Sequence, residues 1–343
     1  KRINLKLIVA TGGLMAGLAV FSMSLFSTPF LFYIAAIIAG IGYACCATIT
    51  INTVLINWFH NKLSTVTGVA FSFSGAAGAL MGPVFASVIQ SAGWRVGYMA
   101  MGIIIIILTV PTGLFILQKS PEDVGLNPYG YKEIDQDLVA QSQYRNNGMK
   151  NGAIMLIIFT MLTSMIANFG SHVSAYMSTL NYDAATAASV LSLSMISNVC
   201  TKLVLGALAD KMGTFKALWL YSIFPIIGII MFMFVPTGAS IFRIIAPLCF
   251  GSIYALAAVG PSIGGRKFVS DEEYSSKYAT ASLAGFVGGA VMIALYGSLY
   301  DIFGTYTVSL MTALVFAVVV FLMLAFVNMR YNSLKIKSKK EDE

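Results

Sequence analysis

Charge is what this chain has least of. Asp, Glu, Lys and Arg make up 10% of its 343 residues, against about 25% in a typical soluble domain. With 58% hydrophobic residues there is too little polar surface to cover a water-soluble fold, so a soluble globular class is excluded. The four cysteines, Cys45, Cys46, Cys200 and Cys249, all fall inside apolar runs. They show neither a disulfide pairing nor a Cys-x-x-Cys spacing and read as small apolar packers. Histidine is scarcer still, with two in the chain. The one at membrane depth, His172, has no accompanying carboxylate, thiol or second histidine, which argues against a metal site. No nucleotide-binding loop is present, so ATP is not the energy source. No nucleophile–base pair is present either, so no enzymatic chemistry and no cofactor are expected. The net charge of +7 comes from bases at the ends of apolar runs, where membrane topology explains them without nucleic acid.

What remains is an all-α polytopic membrane protein. A membrane crossing takes about 20 apolar residues, and ten such spans are predicted at 5–26, 29–57, 63–91, 95–117, 152–178, 185–207, 215–235, 240–262, 276–299 and 305–328. They divide the chain into a transmembrane half at 1–117, a polar linker at 118–151, a second half at 152–329 and a charged tail at 330–343 that reads as disordered. Placing Lys1, the linker and the tail in the cytoplasm puts only Arg95 and Arg243 at external span ends, with Lys202 intramembrane. Every other Lys and Arg then lies on the cytoplasmic side, as the positive-inside rule requires. Cell membrane is the expected location, with the lipid bilayer as the surrounding partner.

The halves resemble each other. Lys1–Lys6 aligns with Lys211–Lys216 at an offset of 210, Gly40-Ile-Gly42 with Gly251-Ser-Ile253 at 211, and Gly93-Trp-Arg95 with Gly304-Thr-Tyr306 at 211. Parallel repeats of this kind mark some transporter architectures. The second half begins two spans before Lys211, so the same offset predicts two further spans ahead of Lys1. The chain then reads as an N-terminally truncated piece, ten spans of twelve, with spans three to six in the first half and seven to twelve in the second.

Within the spans one residue stands out. A charge at bilayer depth costs roughly 2.5–3.5 kcal/mol on insertion scales, and it persists where function uses it. Lys202 is that charge. At helical spacing Ser194, Asn198, Lys202 and Leu205 share a face with Thr201 beside it, which suggests the wall of a water-accessible path. The competing reading is a lysine snorkelling from a span end. Against it, Asp210 marks that end eight residues later, roughly 12 Å along a helix. A second polar face is predicted from Asn168, His172 and Tyr176 at i, i+4, i+8, with Ser171 alongside; His172 is either a neutral donor to a neighbouring helix or a protonatable pore residue. Gly68, Gly75, Gly78 and Gly82 in the third span, and Gly285, Gly288 and Gly289 in the ninth, allow close helix approach. Trp58, Phe59, Trp94 and Tyr98 read as interfacial anchors. Thr48, Thr50 and Asn52 make the second span partly polar.

The paired halves, the central linker and Gly206-Ala-Leu-Ala-Asp210-Lys211-Met-Gly213 together resemble the major facilitator superfamily, whose signature loop is Gly-x-x-x-Asp-[Arg/Lys]-x-Gly. The resemblance implies alternating access about a site between the two halves, with Gly206, Asp210 and Lys211 gating the cytoplasmic side. There the aspartate would cap a facing helix, where a helix N-terminus favours a carboxylate. Gly93-Trp-Arg95, followed by Lys119-Ser-Pro-Glu-Asp-Val-Gly-Leu-Asn-Pro-Tyr-Gly130, is similar to the oxalate/formate antiporter and monocarboxylate transporter group. That group often has an arginine four residues before a glycine in this helix. Lys202 stands four before Gly206, with Asn198 where one branch has aspartate. The resemblance implies transport of a small carboxylate, as antiporter or proton symporter with a counter-anion or proton as coupled partner, by a monomer. Lys202, Asn198, His172, Asn168 and Tyr176 would contact the anion. Lysine lacks the planar fork of arginine, and with one cation in view a monoanion fits better than a dicarboxylate. A different small solute, or a non-transporting sensor of the same fold, stays open.

Overall fold

The computed structural model describes residues 4–130 and 151–341. Among the described residues, ten helical segments are long and apolar enough to cross a membrane: α1 (Leu5–Leu25), α2 (Pro29–Trp58), α3 (Leu63–Ala92), α4 (Trp94–Ile116), α5 (Gly152–Thr179), α6 (Ala185–Met212), α7 (Thr214–Thr237), α8 (Ser240–Phe268), α9 (Glu273–Phe303) and α10 (Thr307–Tyr331). They follow the ten spans expected from hydropathy. Among the described residues no β-strand forms, and one isolated bridge joins Phe59 to Tyr129.

The chain divides into two compact units, 1–61 with 80–133, and 62–79 with 134–343. In the first, α1 is the central helix, and it packs on both α2 and α4 through glycine. A side chain on Gly42 would strike the Gly12 carbonyl oxygen at 2.5 Å, and one on Gly102 would strike the Gly17 oxygen at 2.7 Å. Without a hydrophobic drive between helices in lipid, such contacts between bare backbones hold the bundle. The α2 helix is interrupted at Ala47, which has extended backbone between Pro29–Cys46 and Thr48–Trp58. The Thr50 hydroxyl donates to the Cys45 carbonyl at 2.7 Å across the break. The start of the linker is ordered against the end of α2. Trp58 Nε1 donates to the Gln118 carbonyl at 3.1 Å, Asn57 Nδ2 to Lys119 at 3.0 Å, and Tyr129 N–H to Trp58 at 2.8 Å. The rest of the predicted linker, 131–150, lies outside the described residues, as do the first three residues of the Lys1–Lys6 repeat.

In the second unit an aromatic core links α5, α7, α8 and α9. Phe169 packs edge-on against Phe232, Phe250, Tyr296 and Tyr306. Such edge-to-face pairs each add about 0.5–1.5 kcal/mol beyond burial. Two matched positions of the repeat both have positive φ, though in different backbone regions: Gly93 before α4 has φ +86° and ψ +163°, and Gly304 before α10 has φ +67° and ψ +7°. Only glycine takes such angles without strain, so both turns demand it. The expected disordered tail is corrected. The α10 helix continues past the span as far as Glu341, since the leucine and lysines there are good helix formers.

Candidate functional site

Lys202 is 3% exposed, and its position on α6 faces α3. Its ammonium donates to the Ser74 hydroxyl at 2.8 Å and to the Phe71 carbonyl at 3.1 Å. Both partners are neutral. Ser74 in turn donates to Phe71 O at 2.8 Å, which leaves its lone pairs facing the ammonium. One turn earlier on α6, Asn198 is 6% exposed, and its Oδ1 is buried without a hydrogen-bond donor. Its amide lies against Gly75 of α3, where an added Cβ would sit 3.2 Å from both Cγ and Nδ2.

Glycine sets how closely α3 and α6 approach. A side chain on Gly68 would run into the Lys202 carbonyl oxygen, and one on Gly206 would come within 2.5 Å of the Ser64 oxygen. At the end of this seam Asp210 caps α3. Its Oδ2 accepts from Thr65 N–H at 2.8 Å and Thr65 Oγ1 at 2.6 Å, and its Oδ1 from Ser64 N–H at 3.3 Å. The first turn of any helix leaves N–H groups without intrahelical partners. Here Lys62 precedes the helix at φ +54°, and the capping oxygens come from α6. Lys211 is exposed, and the turn into α7 is made by Gly213 at φ +90°.

The second predicted polar face is corrected. Residues Asn168–His172 form a 3-10 turn inside α5, which breaks the i, i+4, i+8 register, and the three side chains go to different partners. Asn168 Nδ2 donates to Ser164 O at 2.7 Å and lies against Gly289. His172 Nε2 donates to the Ile293 carbonyl of α9 at 2.9 Å, and its Nδ1 is 3.4 Å from the Tyr306 hydroxyl. Burial pushes the Tyr306 phenol up from its ordinary value, so it remains a hydroxyl. Tyr176 is buried and donates to Phe232 O of α7 at 2.7 Å, a structural brace. None of the three bonds to Lys202 or Asn198. Sequence reasoning missed Ser74 and Phe71. The glycine spacing around them signalled a close-approach surface, without saying which helix would meet it.

Among the described residues, no three His, Cys, Asp or Glu side chains gather where they could hold a metal ion. Curated proteins gave no match. Solved structures share the fold at low identity. A bacterial homologue of the iron transporter ferroportin in an outward-facing state is 11% identical, with 94% of this chain and 85% of that chain covered and a TM-score of 0.63. The E. coli fucose:proton symporter FucP is 14% identical, with 94% and 83% covered and a TM-score of 0.63. The ferroportin homologue with soaked iron gives 0.67 at 11% identity, over 94% and 82%. The family model described as Major Facilitator Superfamily matches residues 1–265, most of the chain. With ten membrane-spanning helices and this fold, the chain belongs to the Major Facilitator Superfamily.

Proposed function

We propose that this transporter moves a small carboxylate, a monocarboxylate-like anion, by alternating access, as an antiporter or proton symporter. The observation that carries the reading is Lys202, a buried cation at mid-span whose two partners are both neutral. Such an ammonium gains most from a ligand that brings the missing negative charge. Asn198, one turn away, supplies an amide to the same ligand. Asn168 and His172 lie apart from this pair, against α9, and Tyr176 is a brace to α7. Asp210, Lys211 and Gly206 form the gate at the cytoplasmic end of α6, where the cap on α3 holds one conformation. In this reading the protein works as a monomer in the cell membrane, with linker and C-terminus cytoplasmic.

The test is counterflow of labelled acetate in liposomes carrying the full chain. A charge-assisted hydrogen bond contributes about 1.5–3 kcal/mol, so Lys202→Ala should weaken acetate about tenfold to a hundredfold, with Lys202→Arg retaining part of the affinity. An unchanged acetate affinity in Lys202→Ala removes the assignment. The neutral donors and acceptors around His172 favour a second reading, an uncharged polyol-like solute of the kind named for the fucose symporter. Fucose counterflow that is insensitive to Lys202→Ala would select it.

A further inference from the structure

Two polar groups on α6, one turn apart, are satisfied very differently. The Lys202 ammonium is held across the seam by Ser74 and Phe71 of α3, while Asn198 Oδ1 is buried and accepts nothing. A buried acceptor without a donor is destabilising, and such an exception calls for an explanation. Helical side chains lean toward the N-terminus of their own helix, and residues four apart are neighbours. The stem of Lys202 therefore starts out toward the turn that carries Asn198. Gly75 keeps that turn open on the α3 side, since an added Cβ there would press on the Asn198 amide and come within 2.9 Å of Val199 Cγ2.

We propose that Ser74 and Asn198 are alternative partners of the one Lys202 ammonium, and that Ser74 is a positioning residue setting how much of that ammonium an anion can reach. On α3, the ammonium pins the seam and spends two of its three donors. Turned to Asn198, it spends one, satisfies the orphan acceptor, releases α3 and keeps two donors for a carboxylate. An anion that takes those donors favours release of α3, and release of α3 tightens anion binding by the same factor. The last step rests on the carboxylate reading; the exchange of partners does not.

The experiment separates the two. The full chain, with its four cysteines replaced and Val199→Cys as reporter, is put in liposomes without carboxylate buffer, and labelling by a water-soluble maleimide is timed. A neutral hydrogen bond is worth about 0.5–1.5 kcal/mol, so Ser74→Ala should speed labelling about twofold to tenfold. Ser74→Thr, which keeps the hydroxyl, should restore the original rate. Asn198→Asp should speed labelling, because a carboxylate draws the ammonium off α3, and Asn198→Leu should slow it. The proposal is overturned if Ser74→Ala leaves the rate unchanged, a result that decides the matter even should the Asn198 variants fail to fold. It is also overturned if Asn198→Leu and Asn198→Asp shift the rate in the same direction. Acetate is then added. The expected labelling pattern with no response to acetate in any variant upholds the partner exchange and rejects the carboxylate reading. A response to acetate that Ser74→Ala does not alter rejects Ser74 as the competitor and leaves the carboxylate reading standing.

Discussion

The α3–α6 and α5–α9 seams are both built on glycine, and they differ in what the glycines face. On α3 and α6, Gly68 and Gly206 face the backbone of the other helix. On α9, Gly285 faces Ser164 and Thr160, Gly288 faces Met161 and Met165, and Gly289 faces the Asn168 amide. Backbone cannot yield, whereas a methionine or an amide can change rotamer. The charged groups differ too. An ammonium and a carboxylate cross between α3 and α6, while the link from His172 to the Ile293 carbonyl crosses between α5 and α9. At Gly68 and Gly206 the α3–α6 seam is backbone against backbone, crossed by few, directional, charged contacts. A seam filled with adaptable side chains deforms gradually.

The sharpest way to break this contrast is to add one methyl group to each side. Gly68→Ala or Gly206→Ala should cost about 1–3 kcal/mol, the range for overpacking, read as a clear fall in the thermal midpoint in detergent. Gly288→Ala should cost less, because its nearest neighbours are the Met161 and Met165 side chains and not backbone; equal losses at the two seams would erase the distinction. Next in size is Asp210→Asn. Replacing a charged cap by a neutral one should cost about 0.3–1 kcal/mol, and the loss should shrink as salt is raised. Thermal midpoints at low and high ionic strength check both. The smallest effect concerns Asp183, which caps α6 from its own chain end by accepting from Thr186 N–H at 3.3 Å. The hydrogen bonds from Thr186 hold its carboxyl below the usual carboxylate range. Its contribution is therefore complete above about pH 4 and is lost as pH falls through the lowered folded value. Between pH 6 and pH 3, the wild-type midpoint should fall slightly more than that of Asp183→Asn, which still caps.

The ten spans were legible because bilayer crossing imposes a length and an apolar composition that local sequence must meet. Lys202 and Asn198 were legible for the same reason, as polar groups inside an apolar span, while Asp210 was legible through its place in the Gly-x-x-x-Asp-[Arg/Lys]-x-Gly loop. Their partners were not. Ser74 and Thr65 lie more than a hundred residues away in sequence, and periodicity within one helix carries no information about which helix faces it. The polar face at Asn168, His172 and Tyr176 failed for a different reason. It assumed an unbroken helical repeat, and a 3-10 turn changes the angle between successive side chains. The tail failed on composition, because its lysines and glutamates suit a solvated chain and a helix equally.

The interruption of α2 at Ala47 has a consequence for how the span can vary. Elsewhere in α2 most side chains meet their surroundings as shape and hydrophobicity, and one aliphatic residue can stand in for another. At the break the helix loses its internal pairing, and a hydroxyl from Thr50 takes over the Cys45 carbonyl. Selection at that position acts through the backbone of a different residue. Serine is the natural substitute and valine, nearly the same shape, is not. In a library of variants, position 50 should therefore read as a hydroxyl requirement, unlike the lipid-facing aliphatic positions of α2 such as Ile34, Ile37 and Ile41, which should accept one another's side chains.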